Sequence, residues 1–437
     1  MIEFVSLLLG LVSGYSAVEV GAAGSVAAIE VQLDGRTVAV RSESPWRFDC
    51  DFGDALEPHE LVAIARDEKG NELDRTRRWV NLQSQAADST MIFSGGEPGS
   101  PREASLVWES IGQLRPLSIE MTFDGVPLAV KDPERIPLPA YDPEQMHFVS
   151  AAVHFKDSAV VRLNASFGGG RSGEVASELT AVTVMVETGA SMPPIEILGD
   201  WFLKDGEPVP VLGVEKGPAE VVVVRDPTVQ PALETLLKRI DSWELDGARQ
   251  QAARGWLGGR TRMRVLSPVG APMAHGQVTP EMFAASATHE SGNSGLLWLT
   301  QEIRPRRFSL LFPNAVALAG MHAHASTRRR AVVLLLGSSR TEQSTYQPSE
   351  VRRYLRLLQV PLFAWSLTSD LHSEWGIVRS VPLAIEKGAR HQTLKEAVRQ
   401  LRQTLDAQWI VWLEGRHLPQ SIELAPQAVG IRFAGSV

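Results

Sequence analysis

Apolar and polar residues alternate with a period of two through much of the first half of the chain. In one clear segment the apolar positions are Trp46, Phe48, Cys50 and Phe52. Because successive side chains of a strand point to opposite faces, this spacing predicts a strand with one buried face. We therefore expect the Cys50 thiol to be a buried structural group and not a reactive one.

Asp-Gly turns between short strands mark a repeated unit. The segment Val31–Val38 has the pattern strand, tight turn, strand, and Met121–Leu128 repeats it. Asp-Gly favours a hairpin because glycine tolerates a positive φ. Similar second halves follow at a similar offset, His59–Ala65 in one copy and His147–Val153 in the other. The chain therefore contains two predicted copies of one unit.

Each copy is predicted to be a small antiparallel sandwich, because its short strands are separated by turn residues and lack helical periodicity. The predicted domains are residues 1–83 and residues 84–192. We expect Leu179–Val186 to be the last strand of the second copy.

The periodicity changes after residue 192. A β lead-in over residues 193–218 precedes apolar runs typical of strands buried on both faces, and these runs alternate with amphipathic helical patterns. The predicted buried strands are Val221–Val224, Ala331–Leu336, Pro361–Leu367 and Trp409–Leu413. This alternation predicts a doubly wound, Rossmann-like α/β domain over residues 193–437, with a parallel sheet between layers of helices.

Composition narrows the classes of function. A length of 437 residues favours several domains, and a single cysteine excludes an intrachain disulfide. The net charge of -8 is spread without a charge run, which argues against a nucleic-acid surface. The apolar stretch Phe4–Val12 is either a poor secretion signal or a first strand, and it is too short to span a bilayer as a helix. No other stretch predicts a transmembrane span.

Three segments, in order, resemble a known family. They are Phe202–Val209 leading into Val221–Asp226, then Phe312–Ala319, and then Arg330–Gly337. On these segments the chain resembles bacterial von Willebrand factor A-related proteins, in which immunoglobulin-like modules precede an A-type domain. The resemblance covers nearly the whole chain. It implies two immunoglobulin-like sandwiches followed by a von Willebrand factor A-like α/β domain.

The resemblance also implies the position of a functional site. The family's metal-ion-dependent adhesion site takes Asp-x-Ser-x-Ser from one loop, Thr from a second and Asp from a third. The corresponding residues here are Asp226, Thr228 and Gln230, then Leu310 with Ser309 beside it, then Ser338 and Ser339 after Gly337. One carboxylate holds a divalent cation poorly. We therefore expect no metal and no cofactor, and we interpret Asp226 as a helix N-cap.

Other candidate chemistry is weakly supported. Gly168–Gly173 fits a nucleotide fingerprint, but a predicted strand follows it, so we interpret it as a hairpin loop. His322 and His324 lie two positions apart in a predicted helix and therefore point in different directions. The run Arg328–Arg330 is interpreted as a solvated corner between helix and strand, with a contact to phosphate or an acidic partner as the alternative.

These observations favour a non-enzymatic protein–protein interaction or adhesion module, exported or facing the cell envelope. Open α/β sheets bind at the carboxyl ends of their strands, so we expect the loops of the eroded metal site to bind the partner. The predicted partner-binding residues are Asp226, Thr228, Gln230, Ser309, Ser338 and Ser339. The alternatives are a structural spacer in an envelope assembly and a hydrolase with a carboxylate pair that no motif marks. Neither the partner nor the oligomeric state follows from the sequence.

Overall fold

A computed structural model describes most of the chain. The described residues are 2–4, 6, 10–22, 26–82, 87–97, 100–110, 116–154, 160–168, 179–231, 233, 261–270, 278–279, 282–286, 289–291, 309–326, 328–338, 343–367, 372–381 and 390–436. Antiparallel sandwiches make up most of the described chain. A mostly parallel sheet covered by helices forms a separate α/β unit.

The first sandwich packs two antiparallel sheets around an apolar core. Its strands are β1 (Ile2–Phe4), β2 (Tyr15–Ala22), β3 (Ala28–Leu33), β4 (Arg36–Arg41), β5 (Arg47–Asp51), β6 (His59–Arg66) and β7 (Glu72–Val80). The strand orders are β1-β2-β5 and β4-β3-β6-β7. Phe48, Cys50 and Phe52 are buried in this core, which confirms the predicted alternation. Burial raises the pKa of the Cys50 thiol to about 11.

The second sandwich repeats this plan. Its strands are β8 (Ala87–Glu97), β9 (Ser100–Ser110), β10 (Ser118–Phe123), β11 (Val126–Leu128), β12 (Ile136–Pro137), β13 (Met146–His154) and β14 (Val160–Gly168). The strand orders are β12-β9-β8 and β11-β10-β13-β14. The glycine-rich segment interpreted as a hairpin loop begins at the end of β14, and its remainder, residues 169–173, lies outside the described residues.

The Asp-Gly hairpins make the same contact in both copies. The Asp34 carboxylate lies 2.8 Å from Nδ1 of His59, the first residue of β6. The Asp124 carboxylate lies 2.7 Å from Nδ1 of His147, near the start of β13. In each copy the other carboxylate oxygen accepts the backbone N–H of the residue after the histidine. This shared contact confirms the predicted repeat.

The chain then forms one short helix and four strands. They are β15 (Leu179–Val186), α1 (Ile195–Leu198), β16 (Phe202–Lys204), β17 (Glu207–Pro208) and β18 (Val211–Glu215). The β16–β17 turn is a third Asp-Gly hairpin, with positive φ at both Asp205 and Gly206.

The α/β unit, residues 219–407, follows β18. Its elements are β19 (Ala219–Arg225), β20 (Thr261–Gly270), β21 (Phe283–Ala285), β22 (His289–Ser291), β23 (Ser309–Leu310), α2 (Phe312–Ala325), β24 (Arg329–Leu336), α3 (Pro348–Leu357), β25 (Leu362–Ser366), β26 (Val378–Ser380) and α4 (Arg390–Ala407). The strands β20-β19-β24-β25-β26 are parallel, and β21, β22 and β23 pair with β20 in the antiparallel sense. Helices α2 and α3 cover one face of the sheet, and α4 covers the other.

The chain then completes a third sandwich with β27 (Gln408–Glu414), β28 (Ile422–Leu424) and β29 (Ile431–Phe433). Its strand orders are β18-β27-β15-β29 and β17-β16-β28. The prediction that Trp409–Leu413 belongs to the parallel sheet was wrong, because β27 pairs with β15 and β18 in the antiparallel sense. The β15 strand, expected to end the second copy, also belongs here. The sheet therefore crosses the division predicted at residue 192.

The burial of β27 on both faces explains why its sequence predicted a strand of the parallel sheet. Val411 and Leu413 lie in the core of the third sandwich. Ile410 and Trp412 point the other way, against the second sandwich, where the rings of Trp412 and Phe148 stack 5.9 Å apart. An antiparallel strand buried on both faces has the continuous apolar pattern that is typical of a parallel sheet.

The three arginines of the run Arg328–Arg330 occupy different environments. Arg329 donates from Nε to the Gly217 carbonyl at 2.7 Å and from Nη1 to the Leu405 carbonyl at 2.8 Å. It therefore joins the two connections between the α/β unit and the third sandwich. Arg330 is fully buried and donates from Nη1 to the His324 carbonyl at 2.6 Å. The prediction of a solvated corner was wrong for this residue.

The first sandwich docks on the α/β unit through its end next to β7. Leu11 and Leu56 lie in the same apolar core as α2 and α3. The Tyr354 hydroxyl of α3 donates to the Asn81 carbonyl, a fully buried hydrogen bond.

Within the described ranges, no helix combines the length and apolar character needed to cross a bilayer.

Candidate functional site at the carboxyl ends of the parallel strands

Asp226 stands directly after β19, at the carboxyl end of the strand. Its N–H donates to the Leu335 carbonyl of β24 at 2.9 Å, so the neighbouring strand fixes its backbone. A 3₁₀ helix, Pro227–Val229, begins at the next residue, and Asp226 caps it by accepting the Thr228 N–H. The interpretation of Asp226 as an N-cap is therefore confirmed, and proline at the first helical position suits this start.

Donors from Thr228 and Gly337 contact the Asp226 carboxylate, which is almost completely buried. Oδ1 accepts from the N–H and the hydroxyl of Thr228, both at 2.8 Å. Oδ2 accepts from the N–H of Gly337, just beyond β24, at 3.1 Å. We refer to this arrangement of Asp226, Thr228 and Gly337 as the Asp226 latch. It joins the loop after β19 to the loop after β24 through hydrogen bonds.

The loop after β24 approaches the latch so closely that only glycine fits. A Cβ at Gly337 would lie 2.2 Å from Oγ1 of Thr228 and 2.8 Å from the Asp226 carboxylate. The next residue, Ser338, is exposed, and its N–H donates to Oγ1 of Thr228 at 3.0 Å. The threonine hydroxyl therefore donates to one loop and accepts from the other. Oxygens that the resemblance assigns to metal binding are used here to hold two loops together.

The other predicted residues lie nearby in the fold but take different partners. Gln230 ends the 3₁₀ helix, and its N–H donates to the Pro227 carbonyl. Ser309 lies on β23 and donates from its hydroxyl to Oε1 of Gln343 at 2.5 Å. The Leu310 carbonyl accepts the Gln343 N–H at 3.0 Å. These contacts join β23 to the segment that follows β24. Ser339 lies outside the described residues.

Two residues that the sequence interpretation missed support these loops. The imidazole Nε2 of His372 lies 3.0 Å from the Gly337 carbonyl, and the His372 backbone has a positive φ of 40°. Asn314, near the start of α2, accepts the N–H groups of Thr345 and Tyr346 with its side-chain oxygen. His372 follows the predicted strand Pro361–Leu367 within a few residues. A search for polar residues beyond the end of every predicted parallel strand would have found it.

The chemistry available at this edge is hydrogen bonding by hydroxyl and backbone groups. Among the residues whose positions are described, no group of three or more His, Cys, Asp or Glu side chains converges in a geometry that could hold a metal ion.

His322 and His324 point to separate partners, as predicted. His322 lies 3.2 Å from the Glu220 carboxylate, and His324 Nδ1 lies 2.9 Å from the Leu358 carbonyl. Desolvation lowers the pKa of the buried His324 to about 3.

Comparisons with known proteins give no family. No protein-family model and no curated protein sequence matches the chain. Among solved structures, the fibronectin(III)-like modules of Clostridium thermocellum CbhA match with 13% identity and a TM-score of 0.16, over 38% of this chain and 92% of theirs. Proximal thread matrix protein 1 from the mussel byssus matches with 12% identity and a TM-score of 0.25, over 50% of this chain and 49% of its own. The human COPII-coat protein Sec24c matches with 9% identity and a TM-score of 0.25, over 50% of this chain and 42% of its own. None of these likenesses assigns a function.

Proposed function

We propose that this chain is a non-enzymatic protein-binding module whose α/β unit is related to the von Willebrand factor A domain and binds its partner without a metal ion. The Asp226 latch is the observation that carries the proposal. A divalent cation needs several oxygen ligands that are free to coordinate it. Both oxygens of Asp226 already accept hydrogen bonds, and the Thr228 hydroxyl both donates and accepts. In this proposal these oxygens stabilise the loops and do not coordinate a cation.

The latch supports protein binding because it holds the loops rigidly at an exposed edge. A preorganised surface loses less conformational entropy when a partner binds than a mobile loop does. Ser338 is exposed on this surface, while the residues below it are fixed by the latch and by His372. Of the predicted residues, Thr228, Gln230, Ser309 and Ser338 form the partner surface in this proposal, and the buried Asp226 fixes the loops beneath it.

The three sandwiches support a role as an adhesion or scaffold protein, outside the cytoplasm or at the cell envelope. They pack on one another and on the α/β unit through buried contacts such as the stacked rings of Phe148 and Trp412. A structural spacer would use the same architecture without a specific binding edge. The two roles differ in whether one surface of the chain captures one partner selectively.

Site-specific photocrosslinking distinguishes these roles. A photoreactive residue replaces Ser338 at the carboxyl-end edge, or Ser42, another exposed serine, on the first sandwich, as the matched control. Both variants are irradiated in native envelope extract with EDTA or with millimolar Mg²⁺, and the crosslinked proteins are identified by mass spectrometry. We expect position 338, and not position 42, to capture one protein in both buffers.

Equal capture from both positions would favour the spacer. Capture by position 338 only in the presence of Mg²⁺ would refute the metal-independent mechanism. The absence of crosslinks above background at position 338 would refute binding through this edge.

A further inference from the structure

A second polar region lies at the opposite end of the parallel sheet. A cleft of about 370 Å³ separates the second sandwich from the amino ends of the parallel strands. Small-molecule sites begin at about this size. The cleft is lined by residues of both sides, and those used below are Glu120, Ser150, Ala152, Glu215, Arg262 and Arg328.

The outer face of one sheet of the second sandwich forms the floor of the cleft. Glu120 pairs with Ala152, and Thr122 pairs with Ser150, across β10 and β13. Side chains of directly paired residues lie on the same face of a sheet. The floor therefore presents one long acidic side chain beside small ones, which leaves space above the strands.

The charge of Glu120 is already compensated. Its carboxylate makes an ion pair with the Arg262 guanidinium of β20, and it lies 3.5 Å from Nε2 of His154. His154 and Arg262 lower the pKa of Glu120 to about 2, despite its partial burial. Glu120 is thus a structural bridge between the second sandwich and the α/β unit.

Glu215 is the acidic group whose charge is poorly compensated. It ends β18 and faces the cleft close to the Asp-Gly turn of the second sandwich, where a Cβ at Gly125 would lie 3.4 Å from its Oε2. Burial, with a smaller contribution from the nearby Asp124, raises its pKa to about 7. The indole of Trp412 and the Arg328 guanidinium lower the pKa but do not offset burial.

The remaining charges around Glu215 have other partners. The ammonium group of Lys216, the next residue, lies 5.1 Å from the ring centre of Trp409. Arg262, across the cleft, pairs with Glu120. Within the described residues Glu215 forms no ion pair. A carboxyl group of this kind, facing a partly desolvated cleft, is stabilised in its charged form when a cation arrives.

We propose that this cleft binds a small organic cation, a primary ammonium group on a short apolar body, through an ion pair with Glu215. The ammonium group supplies a full positive charge and hydrogen-bond donors to the Glu215 carboxylate, whose burial Trp412 and Arg328 offset only in part. The apolar body lies over Ala152 and the neighbouring aliphatic lining. An anion would gain from Arg328 but would meet Glu120, Asp124 and Glu215 together, so we assign the cleft to a cation.

The test compares three probes of similar size: n-butylammonium, neutral 1-butanol and anionic butyrate. Binding to the full chain is measured by saturation-transfer NMR at pH 8.0 and pH 5.5. We expect n-butylammonium to bind with a millimolar dissociation constant at pH 8.0, and we expect 1-butanol and butyrate to bind much more weakly. At pH 5.5 Glu215 is mostly protonated while the amine stays charged, so the affinity should fall by about 30-fold.

Matched variants locate the site. Glu215→Gln keeps the shape of the protonated side chain and should weaken n-butylammonium binding at least tenfold at pH 8.0. Glu423→Gln removes an exposed carboxylate of the third sandwich and should change nothing. Arg328→Ala removes a competing positive charge and should strengthen binding.

Equal binding of 1-butanol and n-butylammonium would overturn the proposal. Undetectable n-butylammonium binding at pH 8.0, or binding that persists unchanged in Glu215→Gln, would do the same. Should Glu215→Gln fail to fold, weaker or unchanged binding in Arg328→Ala would contradict the assignment by itself.

Discussion

The two ends of the parallel sheet each bury a charged side chain, and these two side chains differ in how fully they are hydrogen-bonded. At the carboxyl ends, both oxygens of the Asp226 carboxylate accept hydrogen bonds, from the loop after β19 and from the loop after β24. At the amino ends, the fully buried Arg330 guanidinium donates one hydrogen bond, to the His324 carbonyl. Within the described chain, Nε and Nη2 of Arg330 have no hydrogen-bond acceptor.

This difference shows that burial of a charge does not by itself stabilise a fold. A buried group with every hydrogen-bonding position filled is costly to remove, because its partners are then left unsatisfied. A buried ion with unfilled positions has lost its hydration without full compensation. We therefore expect the carboxyl ends to be rigid and intolerant of substitution. The amino ends should tolerate change at Arg330 and respond to pH at Glu215.

The largest expected effect is the loss of the latch. Asp226→Ala leaves the donors of Thr228 and Gly337 unsatisfied and removes the helix cap, so unfolding should require about 3 kcal/mol less free energy. Chemical denaturation monitored by tryptophan fluorescence measures the change. Asp200→Ala, at an exposed carboxylate, is the control and should change the unfolding free energy by less than about 0.5 kcal/mol. A loss below about 1 kcal/mol for Asp226→Ala would show that the latch is not formed in solution.

A smaller effect is expected from Glu215. Because its folded pKa of about 7 lies above the ordinary value of 4.5 for a glutamate, the folded state retains this proton more strongly than the unfolded state does. The protonated group causes no penalty below pH 4.5, and stability is lost as the pH rises from there through about 7. A shift of this size corresponds to about 3 kcal/mol, and solvent screening of this partly exposed side chain should reduce the loss to the order of 2 kcal/mol. Denaturation curves of Glu215→Gln between pH 4.5 and 8 should lack this component, and an unchanged pH profile would contradict it.

Arg330→Met should have an effect close to zero. Methionine replaces the aliphatic stem and removes a buried charge that lacks two acceptors, so the unfolding free energy should change by no more than about 1 kcal/mol in either direction. Arg329→Met is the matched comparison. It removes hydrogen bonds to the carbonyls of Gly217 and Leu405 and should cost more. If Arg330→Met proves the more damaging of the two, the contrast between the two ends of the sheet is wrong.

Metal ions should have no measurable effect on stability. With the Asp226 oxygens occupied by internal donors, millimolar Mg²⁺, Mn²⁺ or EDTA should leave the melting temperature unchanged in differential scanning calorimetry. Binding that favours the folded state would raise it. A rise with Mg²⁺ that disappears in Asp226→Ala would show that a cation can displace the internal donors.

Local patterns in the sequence predicted local structure well. The alternation around Cys50 and the Asp-Gly hairpins were informative because both depend on neighbouring residues. The third sandwich could not be recognised in this way, because β15 and β18 find their partner strand β27 only after the whole α/β unit. The third sandwich has its own Asp-Gly turn, Asp205-Gly206. No segment recognisably similar to His59–Ala65 or His147–Val153 follows it, so the repeat pattern did not reveal this sandwich.

The candidate site was predicted only in part for a similar reason. Asp226 and Thr228 are marked by their positions after a buried strand, and the structure joins them. The roles of Gly337 and His372 depend on how closely the loops of three different strands approach, which no single segment encodes. Arg330 was misjudged because three consecutive arginines suggest solvent exposure. Once β24 begins, its pleat turns Arg330 inward.

The insertion of the α/β unit within the third sandwich also has a consequence for biosynthesis. On the ribosome, β15 and β18 emerge well before β27, the strand that lies between them. At about 5–20 residues per second, the delay is roughly 10 to 40 seconds. The apolar strand β15 waits through this interval without its neighbour, as a target for chaperones or for mispairing with another nascent chain. When the α/β unit folds, the contacts of Arg329 with Gly217 and Leu405 bring the two flanking connections together. The insert then acts as the folding template for the sandwich that it interrupts.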